Sequence, residues 1–157
     1  MSASLQPNIQ LRDMRPADLK FVVEVENSSY QFPWGIGIFR DCLLAGYHSR
    51  VLEVSGVISG YSIMSVAGTE THLLNLCVHP SCQRLGYGRR LVNSMLLRAE
   101  ELGVQKMFLE VRPSNTIAIA LYRSVGFELI GAHPSYYQAA GGREDAVIYV
   151  AAISPTH

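Results

Sequence analysis

The hexapeptide Gln83-Arg84-Leu85-Gly86-Tyr87-Gly88 stands between an apolar strand expected over residues 73–78 and a long amphipathic helix expected from about 86 to 102. A glycine-rich turn that opens a helix leaves several backbone N–H groups without a partner in the chain. Together with the helix dipole they make an anion site, and glycine lets a phosphate approach without meeting a Cβ. Gly-x-Gly alone equally describes an ordinary strand-to-helix turn, so its neighbours must decide.

Glu110 is the second residue of interest. In Met107-Phe108-Leu109-Glu110-Val111 it is the only charge in a strand of buried type. A carboxylate there must be paired, lie at a splayed sheet end, or face a cleft that tunes its proton affinity. A solvated strand end or a structural ion pair would also account for it. Tyr122, in Ala118-Ile119-Ala120-Leu121-Tyr122, sits on the next helix, where a lone tyrosine is commonly a packing residue with a wet hydroxyl.

Other constellations fall away. Gly86-Tyr87-Gly88 with Glu110 about 20 residues on imitates a dinucleotide fingerprint. Leu91 occupies the third glycine position, however, and the motif follows several antiparallel strands rather than opening the chain. No Gly-Lys-Ser/Thr follows to make a P-loop. Cys77, His79 and Cys82 invite a metal, but no fourth ligand stands nearby at zinc-like spacing, and Cys77 reads as a small core residue. His72 and His133 read as surface or satisfied strand histidines, and Trp34 as a packing anchor whose loop could line a groove.

The elements that must position these residues follow from periodicity. Strands are expected over 9–14, 49–54, 57–66 and 70–78, with a hairpin across Ser55-Gly56. A first helix starts at Pro16-Ala17-Asp18 and reaches about Asn27, with Phe21, Val22 and Val25 as its apolar stripe. A short second helix covers 36–45. The 86–102 helix places Leu91, Met95, Ala99 and Leu102 on one face and stops at Gly103. A strand at 106–111, a helix at 115–125 capped by Ser114, and strands at 127–132 and 146–152 complete the chain. The last two are expected to be joined by a Gly-rich loop through Ala139-Ala140-Gly141-Gly142, within the 136–143 segment. Antiparallel strands followed by a βαβ crossover imply an α/β (mixed) sheet with helices on both faces.

At 157 residues the chain suits one domain with a real core, and an apolar fraction of 48% against 17% charged suits a compact fold. Formal net charge is zero, with Lys and Arg dispersed, which supplies no footprint for nucleic acid or a membrane surface. The start, residues 1–8, lacks a basic segment followed by an apolar run, and apolar runs elsewhere are too short to span a bilayer. Cys42, Cys77 and Cys82 cannot all pair within one chain. A cytoplasmic protein is the expectation.

The residues around the Gly-rich turn then point to a family. Leu74-Asn75-Leu76-Cys77-Val78, His79-Pro80 and Gln83-x-x-Gly86-x-Gly88 resemble the acetyl-CoA motif of the Gcn5-related N-acetyltransferase (GNAT) superfamily. Leu109-Glu110-Val111-Arg112-Pro113-Ser114-Asn115, with Ala118–Tyr122 and Gly126-Phe127, is similar to its second motif. Phe32-Pro33-Trp34, Tyr136-Tyr137 and Gly142-Arg143-Glu144-Asp145-Ala146 resemble a narrower branch, bacterial enzymes that acetylate the N-terminal alanine of small-subunit ribosomal protein eighteen. The resemblance covers nearly the whole chain, residues 1–157, as a single N-acetyltransferase domain. Two positions depart from it: His79 stands where many relatives carry Asp, and Gln138 where proline is common.

The resemblance implies a GNAT-like, mostly antiparallel sheet of about six to seven strands flanked by about four helices. It implies acetyl-CoA as co-substrate, no metal, and a ribosomal-protein N-terminus as partner. Glu110 becomes the general base and Tyr122 the general acid. The strand at Leu76, Cys77 and Val78 would hold the acetyl-pantetheine and offer an oxyanion N–H. The N–H groups of Arg84, Leu85, Gly86, Tyr87, Gly88 and Arg89 would hold the pyrophosphate, and Asn115 the pantetheine arm. The same resemblance leaves open a lysine, polyamine or antibiotic amine as acceptor, or a non-catalytic acetyl-CoA-binding module.

Overall fold

The computed structural model describes residues 7–153. The segment read as lacking a secretory signal therefore lies, but for its last two residues, outside the described residues. Among the described residues seven strands form one sheet in the order β1-β2-β3-β4-β5-β7-β6. They are β1 (Ile9–Asp13), β2 (His48–Val54), β3 (Val57–Ala67), β4 (Glu70–Val78), β5 (Lys106–Val111), β6 (Glu128–Ala139) and β7 (Gly142–Ala152). Four α-helices of the described residues flank it: α1 (Leu19–Ser29), α2 (Ile36–Leu44), α3 (Tyr87–Glu101) and α4 (Thr116–Ser124). All neighbouring strands are antiparallel except β4 and β5, the pair joined by the α3 crossover. Among the described residues no helix is long and apolar enough to cross a membrane.

Each face of the sheet buries its own apolar set. On one, Val22 and Val25 of α1 and Phe39 and Cys42 of α2 pack on Val51, Tyr61, Ile63 and Cys77. On the other, Val92, Met95 and Ala99 of α3 and Tyr122 of α4 pack on Met64, Leu73, Met107, Leu109 and Val111. Two stripe expectations need correction. Phe21 is 45% exposed, and the buried face of α1 instead runs Leu19, Val22, Val25 and Glu26. Leu102 caps α3 and is 42% exposed, because the helix has already turned out at Gly103 (φ +75°).

Strand β4 carries the irregularity that shapes everything downstream. Met64 pairs with Leu73, but Ile63 pairs with Asn75, so Leu74 is an extra residue. The alternation of faces is broken accordingly: Leu73 joins the α3 side, whereas Leu74, Asn75 and Cys77 engage the α1 side. A bulge bends its strand and raises its twist. Pairing between β4 and β5 is confined to Glu70–Lys106, Thr71–Met107 and His72–Phe108, and ends where the bulge begins.

The C-terminal hairpin differs most from its sequence-based expectation. β6 and β7 run on to Ala139 and from Gly142, leaving only Ala140-Gly141 as the turn, so residues 136–143 are hairpin tip rather than loop. The segment is exposed on an edge, where backbone pairing needs no apolar alternation and proline is tolerated. A break in register between His133 and Tyr137 accommodates Pro134 and Ser135 (φ +54°), and the Ser135 N–H donates to Asp145 Oδ1 at 2.8 Å. The α4 cap also moves: Asn115, not Ser114, is N-cap, its Oδ1 accepting from the Ala118 N–H at 3.2 Å. Finally, Pro16–Asp18 forms a 3-10 turn before α1 rather than its first turn.

Gly60 lets α3 lie down on β3. A Cβ there would stand 2.9 Å from the Cys77 carbonyl oxygen and 3.0 Å from Leu91 Cδ1. Gly60→Ala is expected to destabilise the fold by about 1–3 kcal/mol, seen as a lower Tm by calorimetry. Gly37→Ala, in open space on α2, should be neutral or slightly stabilising; equal Tm values for the two variants would refute the packing argument.

Candidate active site

Where β4 leaves β5, a groove of about 890 Å³ opens between them. It is lined by Leu76, Cys77 and Val78 of β4, Arg84, Gly86, Gly88 and Arg89 at the start of α3, Glu110 of β5, and Asn115 and Tyr122 beside and on α4. The candidate residues are thus brought together from both sides of the crossover. Leu85 and Tyr87 are the exceptions. Leu85 is exposed and Tyr87 packs under the turn with Leu52 and Leu91, so each brings only its backbone.

The turn has the conformation an anion requires. Arg84 (φ +66°) and Gly86 (φ +83°) both adopt left-handed backbone, which turns successive N–H groups toward one point. No side chain caps α3, and its first internal bond is Arg90 N–H to the Gly86 carbonyl at 3.2 Å. The N–H groups of Tyr87, Gly88 and Arg89 are therefore left for a ligand. Gly88 serves a different purpose from Gly86. Its Cβ would stand 3.0 Å from Leu121 Cδ1's sister methyl, Cδ2, so the glycine sets how closely α3 meets α4.

The open edge of β4 presents a second set of backbone groups. The Leu76 carbonyl accepts from Tyr30 Oη–H at 3.0 Å and the Val78 carbonyl from Gln83 Nε2 at 3.3 Å. Both carbonyls therefore point away from the β3 ladder, and strand alternation turns the Leu76 and Val78 N–H groups the same way. An extended amide-bearing chain can add along this edge as a partial strand. At its α4 side, the Asn115 NH2 has no protein partner among the described residues while its Oδ1 is held as the cap.

Glu110 and Tyr122 approach the opening from opposite faces of the sheet. Leu109 and Val111 point into the α3–α4 core, so alternation sends Glu110 to the α1 side. Its Oε2 is in hydrogen-bond contact with His72 Nε2, so His72 is a satisfied strand histidine whose partner is Glu110. Tyr122 lies on the α4 side, stacked edge-on to Phe127 with ring centroids 5.6 Å apart. Burial, and then the neighbouring Cys77, push the Tyr122 phenol above its ordinary range, so it stays protonated. Burial likewise pushes the Cys77 thiol up, and its Sγ faces the Val25 carbonyl. A buried thiol held neutral is a poor nucleophile. His79 follows the end of β4 and caps the next turn, its ring accepting from the Ser81 N–H at 3.1 Å.

Two polar groups in the groove were not singled out from the sequence. The first surrounds Glu26, 2% exposed on α1. It accepts from Trp34 N–H at 2.8 Å, from Asn75 Nδ2 at 3.0 Å and from the Tyr61 hydroxyl. This carboxylate ties the Phe32-Pro33-Trp34 loop to β4, while Trp34 packs on Phe39 at 5.3 Å and lines the groove. The clue was present: Glu26 falls four residues after Val22, on the apolar stripe. The second is Arg112, which donates to Glu144 Oε1 at 2.9 Å and stacks 4.4 Å from the Tyr137 ring, anchoring the hairpin tip over the groove.

The groove thus joins a turn with unpartnered N–H groups, an open strand edge, a carboxylate and a buried phenol. The groove offers the three uncapped first-turn N–H groups of α3, the unpaired edge of β4, and walls that include apolar Val78, Ala118 and Leu121.

Comparison with known proteins agrees with that chemistry. The Acetyltransferase (GNAT) family matches residues 10–127. The [ribosomal protein bS18]-alanine N-acetyltransferase of Escherichia coli (strain K12) is 35% identical over 144 residues, 92% of this chain and 97% of that protein. The enzyme of that name from Salmonella typhimurium is 36% identical over 137 residues, 87% and 93% of the two chains. The crystal structure of the ribosomal-protein-S18-alanine N-acetyltransferase from Escherichia coli superposes with a TM-score of 0.88 at 33% identity, covering 96% of this chain and 97% of that one. The Ard1 structure from Thermoplasma volcanium, at 23% identity and a TM-score of 0.84, shares the fold. The chain belongs to the GNAT family of acetyltransferases, whose co-substrate is acetyl-CoA.

Proposed function

We propose that this enzyme acetylates the α-amino group of an N-terminal alanine, with ribosomal protein bS18 as its acceptor. The observation that carries the reading is the 35% identity to the bS18-alanine N-acetyltransferase over 92% of the chain. The groove supports it in being open at the Glu110 side, beside Tyr137 and the Trp34 loop, where an extended N-terminus can enter.

Proton chemistry favours an α-amine. Only the neutral amine attacks a thioester, and with a pKa near 7.7–8.0 an α-amino group is neutral in roughly a tenth of molecules at pH 7, against about one in a few thousand for lysine. A carboxylate base then suffices. Glu110 accepts the amine proton, directly or through a water, as the N–C bond forms. Bound acetyl-CoA supplies the acetyl thioester. The Leu76 or Val78 N–H donates to the thioester oxygen, where negative charge develops. Tyr122 donates from its hydroxyl to the departing sulfur. The first-turn N–H groups of α3 grip the pyrophosphate, and the Asn115 NH2 donates to the pantetheine arm. Transfer is direct, since Cys77 is a buried thiol held neutral.

The acceptor is tested by thiol release from acetyl-CoA with a peptide bearing a free N-terminal alanine, against an N-blocked peptide bearing lysine. Turnover of the first alone is expected; preference for the second would reassign the acceptor class, and no thiol release with either would favour a binding module. Gly86→Val forces a β-branched residue to φ +83° and should weaken acetyl-CoA binding about 10-fold by calorimetry, with Gly86→Asn milder. Unchanged affinity in the valine variant would remove the turn from donor binding. Tyr122→Phe should lower kcat on the order of 10- to 100-fold with an unchanged circular dichroism spectrum. A wild-type rate would leave Tyr122 as packing.

A further inference from the structure

We propose that His72 is the positioning residue of Glu110: from the last rung shared by β4 and β5 it fixes one carboxylate oxygen and leaves the other for the acceptor amine. The inference rests on the reading of Glu110 as the base. His72 is paired with Phe108, and Glu110 is two residues beyond Phe108 on the same face, so the two side chains are diagonal neighbours across the fork. One residue later the bulge carries β4 away, and no later β4 side chain shares a rung with β5. His72 is thus the last β4 residue placed to reach Glu110 across a paired rung.

The contact joins His72 Nε2 to Glu110 Oε2, and the Glu110 carboxylate has no other hydrogen-bond partner among the described residues. Its side chain is 14% exposed, against 35% for His72. A glutamate otherwise turns freely about its last torsion, and His72 removes that freedom while Oε1 remains open toward the groove. Around them stand Tyr136 and Tyr137 on β6, whose phenols are raised first by burial and further by the Glu110 charge, and Arg112, whose charge works against that rise at Tyr137. Arg112 is itself committed to Glu144, which leaves His72 as the donor on the base. The imidazole carries its proton on Nε2 in this arrangement, since the carboxylate can only accept.

The test is steady-state acetyl transfer to the alanine peptide by the full chain, with Tm measured alongside. His72→Leu is expected to lower kcat about 10-fold or more while KM for acetyl-CoA stays put, because the base is misaligned and the donor site is untouched. His72→Gln, whose amide nitrogen reaches the place of Nε2, should recover most of that loss; His72→Asn, too short, should not. In a Glu110→Gln background, His72→Leu should change kcat no further. A wild-type kcat for His72→Leu, with Glu110→Gln depressed, would overturn the positioning role and leave the base reading standing. A wild-type kcat for Glu110→Gln would overturn both. Equal loss from His72→Leu in the two backgrounds, or a loss that Gln fails to rescue, would show that His72 acts elsewhere. Should His72→Leu fail to fold, the contrast between the Gln and Asn variants decides the question on the same terms.

Discussion

The extra residue in β4 governs the rest of the site. A parallel pair of strands joined by a helical crossover ordinarily continues its ladder along the full overlap. Here the ladder stops at His72–Phe108, and the next residues of β4 form the bulge opposite Ile63. The backbone groups that β5 would have taken are left along residues 74–78. Unpaired groups of this kind are costly when buried, so they persist only at an open cleft or against a partner. Tyr30 and Gln83 satisfy two of the carbonyls, and the N–H groups remain for a bound chain. The buried Glu26 holds this geometry through Asn75, a residue of the bulge itself, so a carboxylate outside the reaction sets the shape of the edge.

The same parting separates two kinds of proton chemistry. Glu110 reaches the opening from the α1 face, beside His72. Tyr122 reaches it from the α4 face, inside an apolar core. A sheet is about as thick as one side chain on each face, so groups on opposite faces meet only where strands separate. In the proposed reaction the amine arrives on one side of the acyl carbon and the sulfur departs on the other. The fork lets base and acid address opposite sides without neutralising each other through a direct hydrogen bond.

Much of this was legible in the sequence, and the exceptions have physical causes. Strands β4 and β5 and helix α3 were fixed within a residue or two, except that β4 was read from both 70 and 73, because their periodicity is strong and Gly86 and Gly103 punctuate them. The turn before α3 was legible through its glycines, but the left-handed Arg84 was not, since nothing in a single arginine announces that backbone. The β6–β7 hairpin was underestimated because edge strands need no apolar alternation; Gly, Ala and Pro there read as loop. Ser114 and Asn115 are both good caps, and only the real helix start distinguishes them. His72 was invisible as a site residue because its relation to Glu110 depends on the β4–β5 register. The bulge at Leu74 lies in an apolar run that gives no sign of an added residue.

Burial of Tyr122 bears on what kind of acid it is. A thiol leaving group has a pKa near 8.5 and an ordinary phenol one near 10, so complete proton transfer from tyrosine to the thiolate is already uphill by about 2 kcal/mol. Burial raises the phenol further, which makes full transfer less favourable still. The same burial has a compensating effect. A phenol lowered toward neutrality would ionise in part and place a second negative charge beside the departing sulfur. Held neutral in an apolar wall, the hydroxyl can only donate, and a hydrogen bond to an anion gains strength where water is excluded. In the proposed reaction Tyr122 therefore shares its proton with the sulfur as charge builds, and the thiolate, a weak base, leaves without taking the proton outright. In that proposed reaction the protonation state of Tyr122 does not change across the working pH range, so the pH dependence of transfer falls to the acceptor amine.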